Sequence, residues 1–240
     1  KNKRRKSVVP VRKPRNAALD VLRGVAILLM VVDHVAYFNF NVPIELTSLR
    51  IVTRCSMPLF CSLMGYFLVS KDRVNWIRFY QLLFAAAAVN VAFFTLYNKL
   101  EILASLLVCY VLYLGFRSWL CFAFVAVYFS QLEPSVLWFD YPLPIVLSCV
   151  AQGMILRKYG GRVALVTGCL ITVGMLFVPP PAAYVLIYVV PASLLIAWAA
   201  KYPEMNPARW HLQPLQFAGR YPLTVYLAQY FIILSIGRLV

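Results

Sequence analysis

The feature that most constrains this chain is a succession of apolar runs, each long enough or nearly long enough to cross about 30 Å of hydrocarbon as an α-helix. They fall near 19–40, 49–70, 77–96, 101–116, 119–133, 142–157, 163–178, 183–200 and 220–240. Between them stand residues that end helices: Lys71-Asp72-Arg73, Tyr97-Asn98-Lys99, Asp140-Tyr141-Pro142, Gly160-Gly161-Arg162, Pro179-Pro180-Pro181 and the polar stretch from Lys201 to Leu215. With 62% hydrophobic and 13% charged residues, the 240-residue chain holds more apolar surface than a soluble domain can hide. The expected fold is an all-α, polytopic transmembrane helix bundle of about nine spans. A basic tail occupies residues 1–18, and a single helical domain occupies 19–240.

Charge gives the orientation. Lys and Arg gather in the amino-terminal tail, at 71–78, at Arg117, at 157–162 and at 201–220, while the intervening loops hold Glu45, Glu133 and Asp140. Alternate loops thus follow the positive-inside rule, which puts the amino terminus in the cytoplasm and implies an integral membrane location, of the bacterial inner-membrane kind. The net charge of +15 reads as attraction to anionic membrane lipid rather than to nucleic acid, because eight of the 23 basic residues crowd into the first 15 positions, ahead of the first span. The first apolar run is too long for a signal-peptide core and has no small-residue cleavage pattern behind it, so the first helix is expected to be retained. Cys55, Cys61, Cys109, Cys121, Cys149 and Cys169 lie in or beside apolar segments and read as small buried hydrophobes. With only His34 and His211 as imidazoles, no metal site is expected.

The chemistry concentrates in the first helix. Asp20, Arg23, Asp33 and His34 stand in a single apolar span, where ionisable side chains are costly and mark function by default. Arg23 and His34 are eleven residues apart, a net rotation of about 20°, so they share one stripe, with Asp20 about 60° from Arg23 on the same side. At about 1.5 Å per residue the two are roughly 16 Å apart along the axis. A cation near one membrane surface and an imidazole deep in the bilayer suit a two-sided reaction. Arg23 would hold a phosphate-bearing donor, and His34 would act as general base or transient acyl acceptor.

Leu19-Asp20-x-x-Arg23-Gly24-x-Ala26 with His34 after a ten-residue gap resembles the first-helix signature of membrane acyltransferase family three. Met57-Pro58-Leu59-Phe60 and Gly65-Tyr66-Phe67-Leu68 resemble segments of the related heparan-glucosaminide acetyltransferase-like and pilin-acetylating membrane proteins. Gly219-Arg220-Tyr221-Pro222-Leu223 through Tyr226-Leu227 and Gln229 is similar to their late block, with Gln229 at a position where relatives often carry His. The arginine pair that follows the second helix in the family is represented by Arg73 and Arg78. The resemblance implies transfer of an acetyl or short acyl group from cytoplasmic acyl-CoA, a cosubstrate rather than a permanently bound cofactor, to an extracytoplasmic glycan, lipid or other acceptor. It also implies His34 as catalytic base, and Arg23 with Asp20 on the donor side.

Each residue also has a structural reading. His34 is alternatively a histidine hydrogen-bonded within the bundle. Asp33, off the stripe, either forms an ion pair with Arg54 or orients the His34 imidazole, which would make it part of the catalytic group. Asn90, Glu101 and Gln152 read as interhelical hydrogen-bonding groups before they read as cavity lining. A second reading of the whole chain is a non-catalytic accessory subunit of a larger membrane complex, whose partners are membrane lipids and other membrane subunits.

Overall fold

A computed structural model of the chain describes residues 16–40, 48–69, 74–131, 138–178, 182–203 and 212–237. Among them the protein is all-helical, with a single isolated bridge between Leu100 and Phe139. The helices are α1 Ala17–Phe40, α2 Ser48–Thr53, α3 Ser56–Val69, α4 Trp76–Tyr97, α5 Ile102–Phe116, α6 Leu143–Tyr159, α7 Gly161–Val173, α8 Val189–Lys201, α9 Gln213–Arg220 and α10 Pro222–Gly237. Segments Arg117–Phe129, Gly174–Phe177 and Ala182–Tyr188 are 3₁₀ helices. The basic tail, Glu45, Arg73, Glu133 and His211 lie outside the described residues.

Helix ends follow local chemistry. The Asn75 side chain accepts the Arg78 N–H at 3.2 Å and caps α4, which ends on Asn98 in the left-handed conformation. Glu101 caps α5 by accepting the Leu103 N–H at 2.8 Å. Gly160, at φ +84°, makes the turn between α6 and α7 that the glycine pair predicts.

Four helical stretches among the described residues are both long and apolar enough to cross a membrane: Leu49–Val69, Trp76–Tyr97, Ile102–Phe129 and Ala182–Lys201. Nine spans are expected from the sequence. Those expected at 101–116 and 119–133 form one contiguous helical stretch that passes from α to 3₁₀ at Arg117, whose φ is 50°. Gly161–Phe177 and Pro222–Ile233 are apolar but shorter, and α1, at 24 residues, is long enough but carries Asp20, Arg23 and Asp33.

The centre of the bundle is α6, buried on nearly every side from Pro144 to Leu156, with an all-round apolar sequence that suits that position. It packs against α3, the 3₁₀ segment Arg117–Phe129, α5, α7 and α8. Gln152 ties three helices together: its amide nitrogen donates to the Ala164 carbonyl at 2.6 Å and to Ser193 at 2.9 Å, and its oxygen accepts from Thr167 at 2.8 Å. Cys61, Cys109, Cys121 and Cys149 are buried, whereas Cys169 is exposed, a departure from the expected burial of all six. Large apolar side chains such as Ile77, Phe84 and Val91 on α4 face outward, the face a bilayer would cover.

The helix pairs that carry the sequence motifs approach closely. A Cβ on Gly24 would lie 1.9 Å from the Leu215 carbonyl oxygen, and one on Gly219 would lie 1.7 Å from that of Asp20, so α1 and α9 touch backbone to backbone. The same contact recurs between α3 and α6, where Gly65 meets Val150 and Gly153 meets Ser62.

Candidate active site on the first helix

At the amino-terminal end of α1, Arg23 is buried and its Nη1 donates to the Gly219 carbonyl at 2.7 Å and to Asp20 Oδ1 at 3.3 Å. Its guanidinium lies 4.3 Å from the centroid of the Phe67 ring, a cation–π contact. Three motif segments, distant in sequence, therefore meet at one arginine: the Asp20–Gly24 stretch, Gly65–Leu68 and the block that opens at Gly219. Beside them is a cavity of about 400 Å³ lined by Asp20, Arg23, Asn75 and Arg78, with apolar walls from Leu63, Phe67, Leu106, Leu223 and their neighbours. Arg78 is exposed while Arg23 is fixed in place, so the cavity has one rigid cation and one at the surface. The lining residues come from the start of α1, the end of α3, the starts of α4 and α10, and α5, as an alternating up-and-down path through the bundle requires.

Further along α1, Asp33 is an ion-pair partner, but of Arg50 rather than Arg54. Arg50 Nη1 donates to Asp33 Oδ2 at 2.8 Å, and the Thr53 hydroxyl donates to Oδ1 at 2.5 Å. The physical reason is the shortness of α2. Arg50 and Thr53 lie three residues apart on one face of that single short helix, while Arg54 falls in the turn before α3, within electrostatic reach of Asp140 and Tyr141. Both Asp33 carboxylate oxygens thus serve the α1–α2 junction. Asp33→Ala leaves the 4%-exposed Arg50 side chain without this partner and is expected to destabilise the protein by about 3–5 kcal/mol, read as a fall in thermal unfolding midpoint in detergent. An unchanged midpoint would show that the pair contributes nothing.

His34, on the next position, presents its ring to the edge of Tyr226, with centroids 6.3 Å apart at 78°. The Tyr226 hydroxyl donates to Glu101 Oε1, and Glu101 Oε2 accepts the Leu103 N–H. Asn90 Oδ1 accepts the backbone N–H of Glu101 at 2.7 Å. A buried carboxylate, a buried phenol and the imidazole are therefore brought together from α5, α10 and α1. Sequence reading treats Glu101 as a helix-to-helix polar group and leaves Tyr226 inside a motif without a role. The available signal is a carboxylate at the mouth of an otherwise apolar helix. The stripe itself is present as the periodicity predicts: Asp20, Arg23 and His34 all turn toward α9 and α10. No group of three metal-ligating side chains occurs among the described residues.

These features define a polytopic helical membrane protein with an ionisable stripe along its first helix and a cation-lined cavity at one end of it. Residues 16–82 match the family model described as an acyltransferase domain, so this part of the chain is similar to that family. The matched segment carries Asp20, Arg23, Asp33, His34, Arg50, Arg54 and Arg78, and supports a membrane-acyltransferase kind of function. No curated protein and no solved structure matches the chain.

Proposed function

We propose that this protein moves an acetyl or other short acyl group from cytoplasmic acyl-CoA to an extracytoplasmic glycan, lipid or similar acceptor, in a membrane of the bacterial inner-membrane kind. The observation that carries this reading is the cavity of about 400 Å³ at the Arg23 end of the helix that also bears His34. Two arginines suit the phosphates of CoA, Arg23 preorganised by Asp20, Gly219 and Phe67, and Arg78 at the surface. The apolar walls suit the pantetheine arm and the acyl group, directed along α1 toward His34. In the transfer, the acceptor oxygen bonds to the acyl carbonyl carbon as the carbon–sulfur bond breaks. The acceptor proton passes to the His34 imidazole and from there to the departing thiolate, giving the acyl ester and free CoA. The positive-inside pattern puts the Arg23 end on the cytoplasmic side, where the donor is.

Acetyl-CoA binding by the purified protein in nanodiscs tests the reading. Losing one charge-assisted arginine–phosphate interaction is worth about 1.5–3 kcal/mol, so Arg23→Ala or Arg78→Ala is expected to weaken acetyl-CoA roughly 10- to 150-fold. Arg23→Lys is expected to recover little, because an ammonium cannot serve Asp20, Gly219 and a phosphate together in the fork geometry of a guanidinium. A folded wild type that binds no acetyl-CoA would overturn the donor assignment and favour the accessory-subunit reading.

A further inference from the structure

The end of the bundle that opens the Arg23 cavity also carries cations that do not line it. Arg117, where α5 gives way to the 3₁₀ segment, has its guanidinium 5.7 Å from the centroid of the Tyr113 ring, and the Tyr113 hydroxyl donates to the Leu68 carbonyl of α3 at 3.0 Å. Arg157, in the last turn of α6, donates to the Tyr66 hydroxyl of α3 at 2.9 Å. Lys158, beside it, has its ammonium 4.9 Å from the centroid of the Tyr159 ring. Each cation is thus braced by a tyrosine, and none of the three forms an ion pair with a described residue.

Arg117 and Lys158 stand at one depth. The Ser148 hydroxyl of α6 donates to the Phe124 carbonyl at 3.1 Å, so the 3₁₀ segment lies against α6 there. Lys158 is ten residues beyond Ser148, about 15 Å of α-helix, and Arg117 is seven residues before Phe124, about 14 Å of 3₁₀ helix. Lys158 lies within electrostatic reach of Cys121, so the two displacements run in the same direction. Residues 115–119 and 157–163 are exposed throughout, and Arg162 adds a fourth cation to the second of these stretches. Next to this positive rim, along the 3₁₀ segment, Trp119 is 73% and Phe122 57% exposed, with ring centroids 5.7 Å apart. A cationic rim over an exposed aromatic face matches one membrane leaflet, with phosphates at the rim and hydrocarbon beneath, and the positive-inside pattern assigns this end to the cytoplasmic side. A soluble anion would meet the cations and leave Trp119 and Phe122 uncovered. A zwitterionic lipid would bring a positive group against the rim. An anionic lipid satisfies both parts, and cations already held by ring contacts lose little freedom in binding it.

We propose that Arg117 and Lys158, with Arg157 and Arg162 adding to the field, hold the phosphate of an anionic phospholipid of the cytoplasmic leaflet, its acyl chains lying along Trp119 and Phe122. The test is thermal unfolding of the intact protein in detergent, titrated with phosphatidylglycerol, with phosphatidylcholine of the same chains, and with glycerol phosphate as a headgroup without chains. Wild type is expected to gain stability saturably with phosphatidylglycerol and with neither of the others. The Arg117→Gln, Lys158→Gln double variant is expected to need about tenfold or more phosphatidylglycerol for half-saturation. Lys201→Gln is the matched control, because it removes a cation at the end of α8 that is likewise stacked on a tyrosine, 5.6 Å from the Tyr202 centroid; it is expected to stay within about twofold of wild type. Equal responses to the two lipids, an unshifted double variant, or a control shifted as far as the double variant would overturn the site. A saturable response to glycerol phosphate alone would reassign it to a soluble anion and overturn the lipid. If the double variant does not fold, native mass spectrometry of wild type, counting phosphatidylglycerol retained in competition with phosphatidylcholine, makes the same decision, and equal retention overturns the site. Acetyl-CoA affinity is expected to be the same in wild type and the double variant, since neither residue lines the Arg23 cavity. Its loss with an unchanged lipid response would assign the pair to the donor instead.

Discussion

His34→Ala is expected to lower acyl transfer about 100- to 10,000-fold, the usual contribution of a general acid–base group, while the protein stays folded. His34 meets the edge of the Tyr226 ring, and around it Tyr226 donates to Glu101, Glu101 accepts from the Leu103 N–H, and Asp33 accepts from Arg50 and Thr53. Truncating the imidazole removes the reacting group and leaves those bonds between other residues in place, and the thermal unfolding midpoint of the same variant checks that the fold is kept. The sharper comparison is His34→Gln, which keeps the hydrogen-bonding capacity and loses the proton affinity that suits transfer near neutral pH. Activity restored by Gln would identify His34 as a structural histidine and overturn the base assignment. Activity absent in both variants, with acetyl-CoA still bound, would support it.

The largest stability effect is expected at Gly219. A Cβ there would sit 1.7 Å from the Asp20 carbonyl oxygen and 3.1 Å from the Gly24 backbone nitrogen, and none of these backbone atoms can rotate away as a side chain can. Gly219→Ala must therefore separate α9 from α1, which also breaks the 2.7 Å bond from Arg23 to the Gly219 carbonyl and distorts the cavity beside it. The expected cost is about 3 kcal/mol or more, at the upper end of overpacking substitutions. Gly115→Ala is the matched control, since nothing lies within 4 Å of a Cβ there, and a helical Gly→Ala change in open space stabilises by roughly 0.5–1 kcal/mol. Thermal unfolding of both variants in the same detergent decides the matter. If Gly219→Ala were as stable as Gly115→Ala, the close approach of α1 and α9 would be wrong.

Gly24 and Gly219 also give the sequence motifs a physical meaning. Both glycines stand beside the residues that suggest chemistry, and their own contribution is proximity: without a side chain at either position, the α9 carbonyl comes within reach of the Arg23 guanidinium. Arg23 is thereby held in one orientation by Asp20, Gly219 and Phe67, an arrangement that preorganises a cation for an anionic donor.

What the sequence by itself determined is whatever depends on local pattern. Apolar runs and their polar punctuation set the helices, and the eleven-residue interval put Arg23 and His34 on one stripe, because a helix carries its own ruler. The tertiary structure alone decided which residues from different helices meet. Asp33 takes Arg50 and not Arg54 because α2 ends after six residues and the chain turns before Arg54. Glu101 meets Tyr226 across 125 positions of sequence, and the Tyr226 ring comes beside His34 only because α1 and α10 pack as they do. The period of a helix fixes the direction of each side chain around its own axis, whereas the rotation and depth of one helix against another are set by contacts such as Gly24 on Leu215, spread over the whole chain.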